Sequence, residues 1–454
     1  MIIRHHTAAA LTVALVAFAP TWPISAQGAR KSTPAAASVA SASLKPASSP
    51  EALGFDPQRL SRLDAYMAKV VADGRVAGMI TLLARHGQVV SEKTYGYRSL
   101  ATSTPMTRDT IFRLYSMSKP ITGVAMMLLF EEGKWRLDDP ITRFVPEFKA
   151  LKVMNGKDGG GHPTVEAMKR PPTMRQLMSH TAGFGYGLAD EHPVDKLYRE
   201  KNVLGANGLA DMIKRTADIP LMYQPGTQWY YSSAVDIQGY IVEKISGQKF
   251  GDFLQQRVFR PLKMTDTGFY VPADKASRLA AVYVGNEKTG KIEEAKQLFS
   301  LDMPTYLEPP LMESGGGGLV GSITDYARFA QMLANKGELD GVRLLSPASV
   351  ELMGTNMLPK EVLARGDGLP GQRFNEAIGF GLDFLVVNDP RAAGTLDGKG
   401  SMSWGGAAGT WFWVDPTNEV VFVGMIQRMG GTGGDSLDAM ARTLTYQALI
   451  HPER

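Results

Sequence analysis

No cysteine occurs in the 454 residues of this chain, which excludes thiol nucleophiles, thiolate metal sites and disulfide scaffolding. Histidine is scarce, seven in all, and two of these, His5 and His6, sit at the N-terminus. The other five, His86, His162, His180, His192 and His451, carry no H-E-x-x-H zinc motif and no obvious base signature. G-x-S-x-G, the nucleophile turn of α/β hydrolases, is absent. The first fifty residues contain no acid, so Arg4, Arg30, Lys31 and Lys45 account for the whole formal charge of +4. Removing these four from the 49 basic residues leaves 45 against 45 acidic ones. A charge-balanced body offers no electrostatic footprint for nucleic acid. No apolar run after the leader reaches the roughly 20 residues needed to span a bilayer; the longest lies around Ile121–Phe130.

What is present begins with an address. Arg4, the apolar run Ala8–Ala19 and the small-residue site Ile24-Ser25-Ala26 predict a secretory signal over 1–26. Residues 27–50 are Ala, Ser and Pro-rich and read as a disordered leader. The expected product is exported, periplasmic or secreted, with no stable membrane anchor once the signal is removed. From 51 to 454 the texture is globular, with 44% hydrophobic residues in the chain as a whole.

Within that body, Asp56 before Pro57 marks a helix start, and Leu60, Leu63, Tyr66, Met67, Val70 and Val71 recur at helical spacing. Met79–Leu83 and Val89–Tyr95 predict a hairpin across His86-Gly87-Gln88. Residues 117–132 are apolar nearly all round and stop at Gly133, which predicts a helix through the centre of the fold. Further helices are expected near 174–179, 207–216, 233–245, 250–259, 324–335 and 346–353. Phe380–Val387, Thr410–Val414 and Val420–Ile426 predict strands, and 436–449 a closing helix. The fold class is therefore α+β, an α/β sandwich. An antiparallel sheet from both chain ends is flanked by helices and carries an inserted, mostly helical domain. The α/β part covers about 51–120 and 320–454, the helical part about 121–319.

Three clusters carry candidate chemistry. S-x-x-K occurs at Ser116–Lys119 and at Ser246–Lys249, and the pattern is short enough to arise by chance. Ser246 precedes Gly247 at a helix end and is the accidental match. Ser116 opens the apolar helix, where residues three apart share a face, so Lys119 lies beside the Ser116 hydroxyl. Burial there favours a neutral amine able to act as a base. The alternative is a serine cap with a solvated lysine. The second cluster, Pro225 to Ser233, places Tyr231 at a turn where a phenol can relay a proton, or simply pack in the core. The third, Ser403-Trp404-Gly405-Gly406-Ala407-Ala408-Gly409-Thr410, offers glycines for close backbone approach and exposed N–H donors, or a tight turn. Gly316 to Gly321 fits G-x-G-x-x-G but follows no strand, so it is set aside as a dinucleotide site. Lys288-Thr289-Gly290 reads as a surface turn.

In this order the clusters resemble the serine β-lactamase-like superfamily, in its branch of class C β-lactamases, DD-peptidases and family VIII carboxylesterases. The stretches QLMSHTAGF at 176–184, GGGGLVGSITDYARFAQML at 315–333 and FWVDPTNEVVFVGMIQ at 412–427 are similar to the same branch, and the likeness covers about 55–450. The resemblance implies Ser116 as nucleophile, Lys119 as its base partner and Tyr231 as the tyrosine of a Y-x-N element. It implies an oxyanion hole from the Ser116 and Ala407 N–H groups, with Trp404, Gly405, Gly406 and Ser233 contacting substrate. Two departures stand out. Ser233 replaces the Asn of Y-x-N, and Trp404 replaces the Lys of K-T-G, so an apolar indole stands where an anionic substrate would meet an ammonium. The expected activity is a serine hydrolase acting through an acyl-enzyme on small uncharged esters, without metal or organic cofactor. A β-lactamase, DD-peptidase or linear-amide hydrolase with the same mechanism is the alternative, and a non-catalytic wall-binding member a more distant one.

Overall fold

Asp56 caps the first helix, its Oδ1 accepting the Arg59 N–H at 2.8 Å, and Pro57 supplies a pre-set first turn. A cap of this kind is worth about 1 kcal/mol. The computed structural model describes residues 43–452 apart from 287, 299, 300, 303, 370 and 371. The expected signal at 1–26 and most of the leader lie outside those residues.

A nine-stranded sheet forms the frame. In chain order its strands are β1 (Lys45–Pro46), β2 (Gly78–Arg85), β3 (Gln88–Ser99), β4 (Thr104–Pro105), β5 (Ile378–Phe380), β6 (Leu385–Val387), β7 (Met402–Gly405), β8 (Trp411–Asp415) and β9 (Val420–Met425). They lie in the order β1-β3-β2-β9-β8-β7-β6-β5, with β4 on β3. All pairings are antiparallel except β1 with β3. The two chain ends meet at β2 and β9, where Thr81 faces Gly424.

Side-chain alternation serves two layers. Met79, Leu83, Trp413, Val420 and Phe422 pack on helices α1 (Pro57–Ala72) and α6 (Leu437–Tyr446). Ile80, Leu82, Phe412, Val421 and Val423 face the other way, into the large core that holds α2 (Ser118–Glu131) and α5 (Ile323–Ala334). Trp413 and Phe422, directly opposite across β8 and β9, stack at 4.3 Å, and Arg442 of α6 lies 4.6 Å over the Trp413 ring. α2 is buried on every side, as its unbroken apolar run predicts.

Two expectations need correction. The leader was read to residue 50, but Lys45 and Pro46 pair with Gln88 and Val89, and Leu44 is buried, so a short apolar foothold ties its end to the sheet. The single strand expected at Phe380–Val387 is two, β5 and β6, turned by Gly381 to Phe384 with Asp383 at φ 66°. The insert is mostly helical, as expected, and also carries hairpins, among them Lys152–Lys157 with Pro163–Ala167 and Tyr283–Asn286 with Lys291–Glu294. Lys288, Thr289 and Gly290 lie exposed at the tip of the second.

Asp383 fastens the β5–β6 turn to helices of the insert. Its Oδ1 accepts Gln238 Nε2–H at 3.0 Å from helix α4 (Ala234–Ser246), and a side chain on Gly123 of α2 would meet its Oδ2. Burial pushes this carboxyl well above the usual range. The folded state therefore keeps a proton that the unfolded chain releases above about pH 4, and stability is withdrawn as pH rises from there. Asp383→Asn removes the titration and keeps an acceptor for Gln238. Its Tm relative to the native protein should rise between pH 5 and pH 8; an equal difference at both values would show that the carboxyl ionises freely.

Candidate active site

Ser116 sits in a single 3₁₀ turn, Tyr115–Met117, immediately before α2, so the α-helix proper starts one residue after the 117 read from the sequence. Tyr115 has φ 46°, a left-handed conformation that a bulky side chain adopts only under constraint. That kink turns the chain from the strand Ile111–Arg113 into α2 and leaves Ser116 half-buried at the helix entrance. Lys119, one turn on, is fully buried. Its Nζ donates to Gly316 O at 2.6 Å and lies 3.3 Å from both Ser116 Oγ and Tyr186 Oη. Tyr231 reaches Ser116 Oγ from the other side at 2.6 Å, with Lys119 Nζ 4.4 Å from its ring centre.

The third cluster closes the site. Gly406 lies so close to the chain before Ser116 that a Cβ would come within 2.4 Å of Leu114 O and 2.3 Å of Thr410 Oγ1. Only glycine permits this approach, and it brings Ala407 to the cavity that also exposes Ser116. That cavity, about 380 Å³, is lined by Ser116, Tyr231, Trp404, Gly405, Gly406 and Ala407, with Leu369, Leu385 and Phe412 adding apolar wall. Trp404 packs 5.6 Å from Tyr231 and 5.3 Å from Phe380. The cation on the wall, Arg442, is already bound to Asp397 and Asp438.

Seven of the eight residues selected from sequence therefore converge. Ser233 does not line this cavity. It is fully buried at the start of α4, its N–H donating to Gly185 O at 3.0 Å. Ser246 and Lys249, the second S-x-x-K, stand at the far end of that helix with Lys249 exposed.

The sequence reading missed what holds Lys119. Asp236, five residues beyond Tyr231, accepts Ser314 Oγ–H at 2.5 Å and Gly316 N–H at 3.1 Å, which fixes the carbonyl that Lys119 uses. Thr122 Oγ1–H donates to Gly315 O at 2.9 Å, and Ser118 Oγ accepts Leu319 N–H at 3.1 Å. The glycine-rich segment set aside as a dinucleotide loop is thus one wall of the lysine site. Burial raises the Asp236 carboxyl, opposed by Ser314 and Lys119. Burial, then Asp236, pushes the Tyr186 hydroxyl well up, so it stays protonated beside Lys119. The S-H-T-A-G-F-G-Y order at 179–186 was the available signal for Tyr186.

A family model described as Beta-lactamase matches residues 63–447. The chain belongs to the Beta-lactamase family. It is 36% identical over 381 residues to Protein Rv1367c of Mycobacterium tuberculosis, covering 83% of this chain and 92% of that one. It is 30% identical over 385 residues to esterase EstB of Burkholderia gladioli, covering 80% and 89%. Among solved structures it is similar to EstCE1, a hydrolase with promiscuous acyltransferase activity, with a TM-score of 0.71, 26% identity, and coverage of 86% and 99%. The protein is a serine hydrolase with the β-lactamase and transpeptidase-like fold.

Proposed function

We propose that this hydrolase is a carboxylesterase for small uncharged esters and works through an acyl-enzyme on Ser116. The observation that carries this reading is the Ser116 hydroxyl held between Tyr231 Oη at 2.6 Å and Lys119 Nζ at 3.3 Å, at the edge of a largely apolar cavity. Ser116 Oγ attacks the ester carbonyl and its proton passes to Lys119 Nζ, with the Tyr231 hydroxyl as relay, taking the serine proton as it hands its own to the amine. The oxyanion falls to the N–H groups of Ser116 and Ala407, neither of which donates to another group among the described residues. The alkoxide leaves with the returned proton. Water then attacks the acyl-serine and releases the acid.

Trp404, Leu369, Leu385 and Phe412 supply apolar contact, and the pairing of Arg442 leaves no unpaired cation on the described wall for a substrate carboxylate. Both features favour an uncharged ester over an anionic β-lactam or peptide. The similarity to EstB, an esterase, supports the same reading. The N-terminal segment 1–26 supports an exported enzyme. Comparing kcat/KM on p-nitrophenyl butyrate, a chromogenic cephalosporin and a D-Ala-D-Ala peptide tests the substrate class. Butyrate should lead by about 100-fold or more, the scale of discrimination expected when a partner charge is absent. Preference for either of the others would replace esterase by β-lactamase or peptidase.

A further inference from the structure

His180 lies in the QLMSHTAGF stretch, and no step above uses it. Helix α3 (Met174–Met178) ends in a pair of reversed bonds: His180 N–H to Leu177 O at 3.3 Å, and Thr181 N–H to Gln176 O at 2.9 Å. His180 occupies the left-handed position of that ending, with φ 57°. Glycine is the residue that fits there, because a Cβ in left-handed backbone crowds the following carbonyl. A histidine is locally unfavourable at this point, so the gain has to lie in its side chain.

Backbone and side chain of His180 both work around Tyr231. The His180 carbonyl accepts Tyr230 N–H at 3.0 Å, and its Nδ1 accepts Ser232 N–H at 3.2 Å with Ser232 Oγ 2.9 Å away. One residue thus grips the backbone on both sides of Tyr231. Its ring, fully buried, packs 5.1 Å from the Tyr231 ring and is flanked by Trp229 and Phe380. A backbone N–H can only donate, so the Ser232 N–H contact assigns Nδ1 as acceptor and the ring proton to Nε2, which is buried with no hydrogen-bond partner among the described residues. Burial, and after it Lys119, hold the imidazole well below its usual range. It stays neutral and keeps accepting.

We propose that His180 is a positioning residue for acyl transfer: its carbonyl and Nδ1 clamp residues 230–232 and so hold the Tyr231 hydroxyl against Ser116 Oγ. The proposal rests on the mechanism above, with Ser116 as nucleophile and Tyr231 in the proton path. A small displacement of a proton acceptor slows chemistry without loosening substrate.

Two variants separate positioning from packing. Asparagine tolerates left-handed backbone and offers an amide oxygen where Nδ1 stood; leucine fills the space without an acceptor. For His180→Asn and His180→Leu, active sites are counted by fluorophosphonate titration. The readouts per titrated site are kcat and KM for p-nitrophenyl butyrate and the rate of Ser116 phosphonylation. His180→Leu should lose about 10- to 100-fold in kcat and in phosphonylation rate, with KM nearly unchanged, and His180→Asn should regain most of both. Native rates per site in His180→Leu, no recovery in His180→Asn, or failure of both to fold would overturn the proposal in favour of packing alone. A native enzyme that is phosphonylated at Ser116 yet leaves the ester intact sinks the ester reading, while the phosphonylation series still decides the role of His180. A native enzyme not labelled at Ser116 removes both.

Discussion

Alanine at position 116 should leave a folded protein whose hydrolysis of p-nitrophenyl butyrate is slower by about 10⁴-fold or more, the scale seen when a serine nucleophile is deleted. Ser116 is half-buried and its hydroxyl is the only atom removed. Tyr231 and Lys119 both lose a partner at Ser116 Oγ, but Lys119 keeps Gly316 O and Tyr186 Oη. The Tm should therefore move by only a few degrees, as for loss of one or two hydrogen bonds. Ser246→Ala, at the end of α4, is the matched control and should keep native rates. Retained hydrolysis in Ser116→Ala would assign the nucleophile elsewhere.

Lys119→Met separates chemistry from stability. The Lys119 side chain is fully buried, and among the described residues no carboxylate stands within ion-pair distance of it. Methionine matches its length and carries no polar atom that needs a partner. Acid–base help of this kind is worth about 10²- to 10⁴-fold, and kcat should fall within that range. The Tm should not fall, because the removed amine was buried at a cost and only Gly316 O loses a strong donor. Thermal melts and per-site rates check both halves. A variant that loses stability in step with activity would show that Lys119 chiefly holds the fold together.

What the residues revealed ahead of the structure depended on how local the cause was. The apolar run after Met117 predicts α2, and the i, i+3 spacing alone puts Lys119 beside Ser116. The short, β-rich apolar runs at Thr410–Val414 and Val420–Ile426 predict strands, and they are unbroken because both faces of the sheet are covered. Tyr186, Asp236 and Gly316 were hidden because their meaning lies in contacts with Lys119 or with each other across 67 to 197 residues. The G-x-G-x-x-G pattern misled in a useful way. Gly316 does serve close approach, but to Asp236 and Tyr186 beside Lys119, while Gly318 packs on Ser314 and Phe269. The β5–β6 turn escaped notice because Asp383, and no glycine, takes its left-handed position. Ser233 was carried over by motif position, whereas the helix start turns it inward.

The pairing of Thr81 with Gly424 sets a schedule for biosynthesis. The hairpin of β2 and β3 is made early, yet one edge stays bare until residues beyond 420 have emerged. The segment before Ser116 waits equally long, since Arg113 N–H donates to Gln427 Oε1 at 3.1 Å and Gln427 Nε2–H returns a bond to Arg113 O at 3.1 Å. Contacts this distant in sequence form slowly. A nascent chain therefore carries Ser116, Lys119 and Tyr231 for most of its synthesis without the frame that holds them together, and completes that frame only when its tail docks.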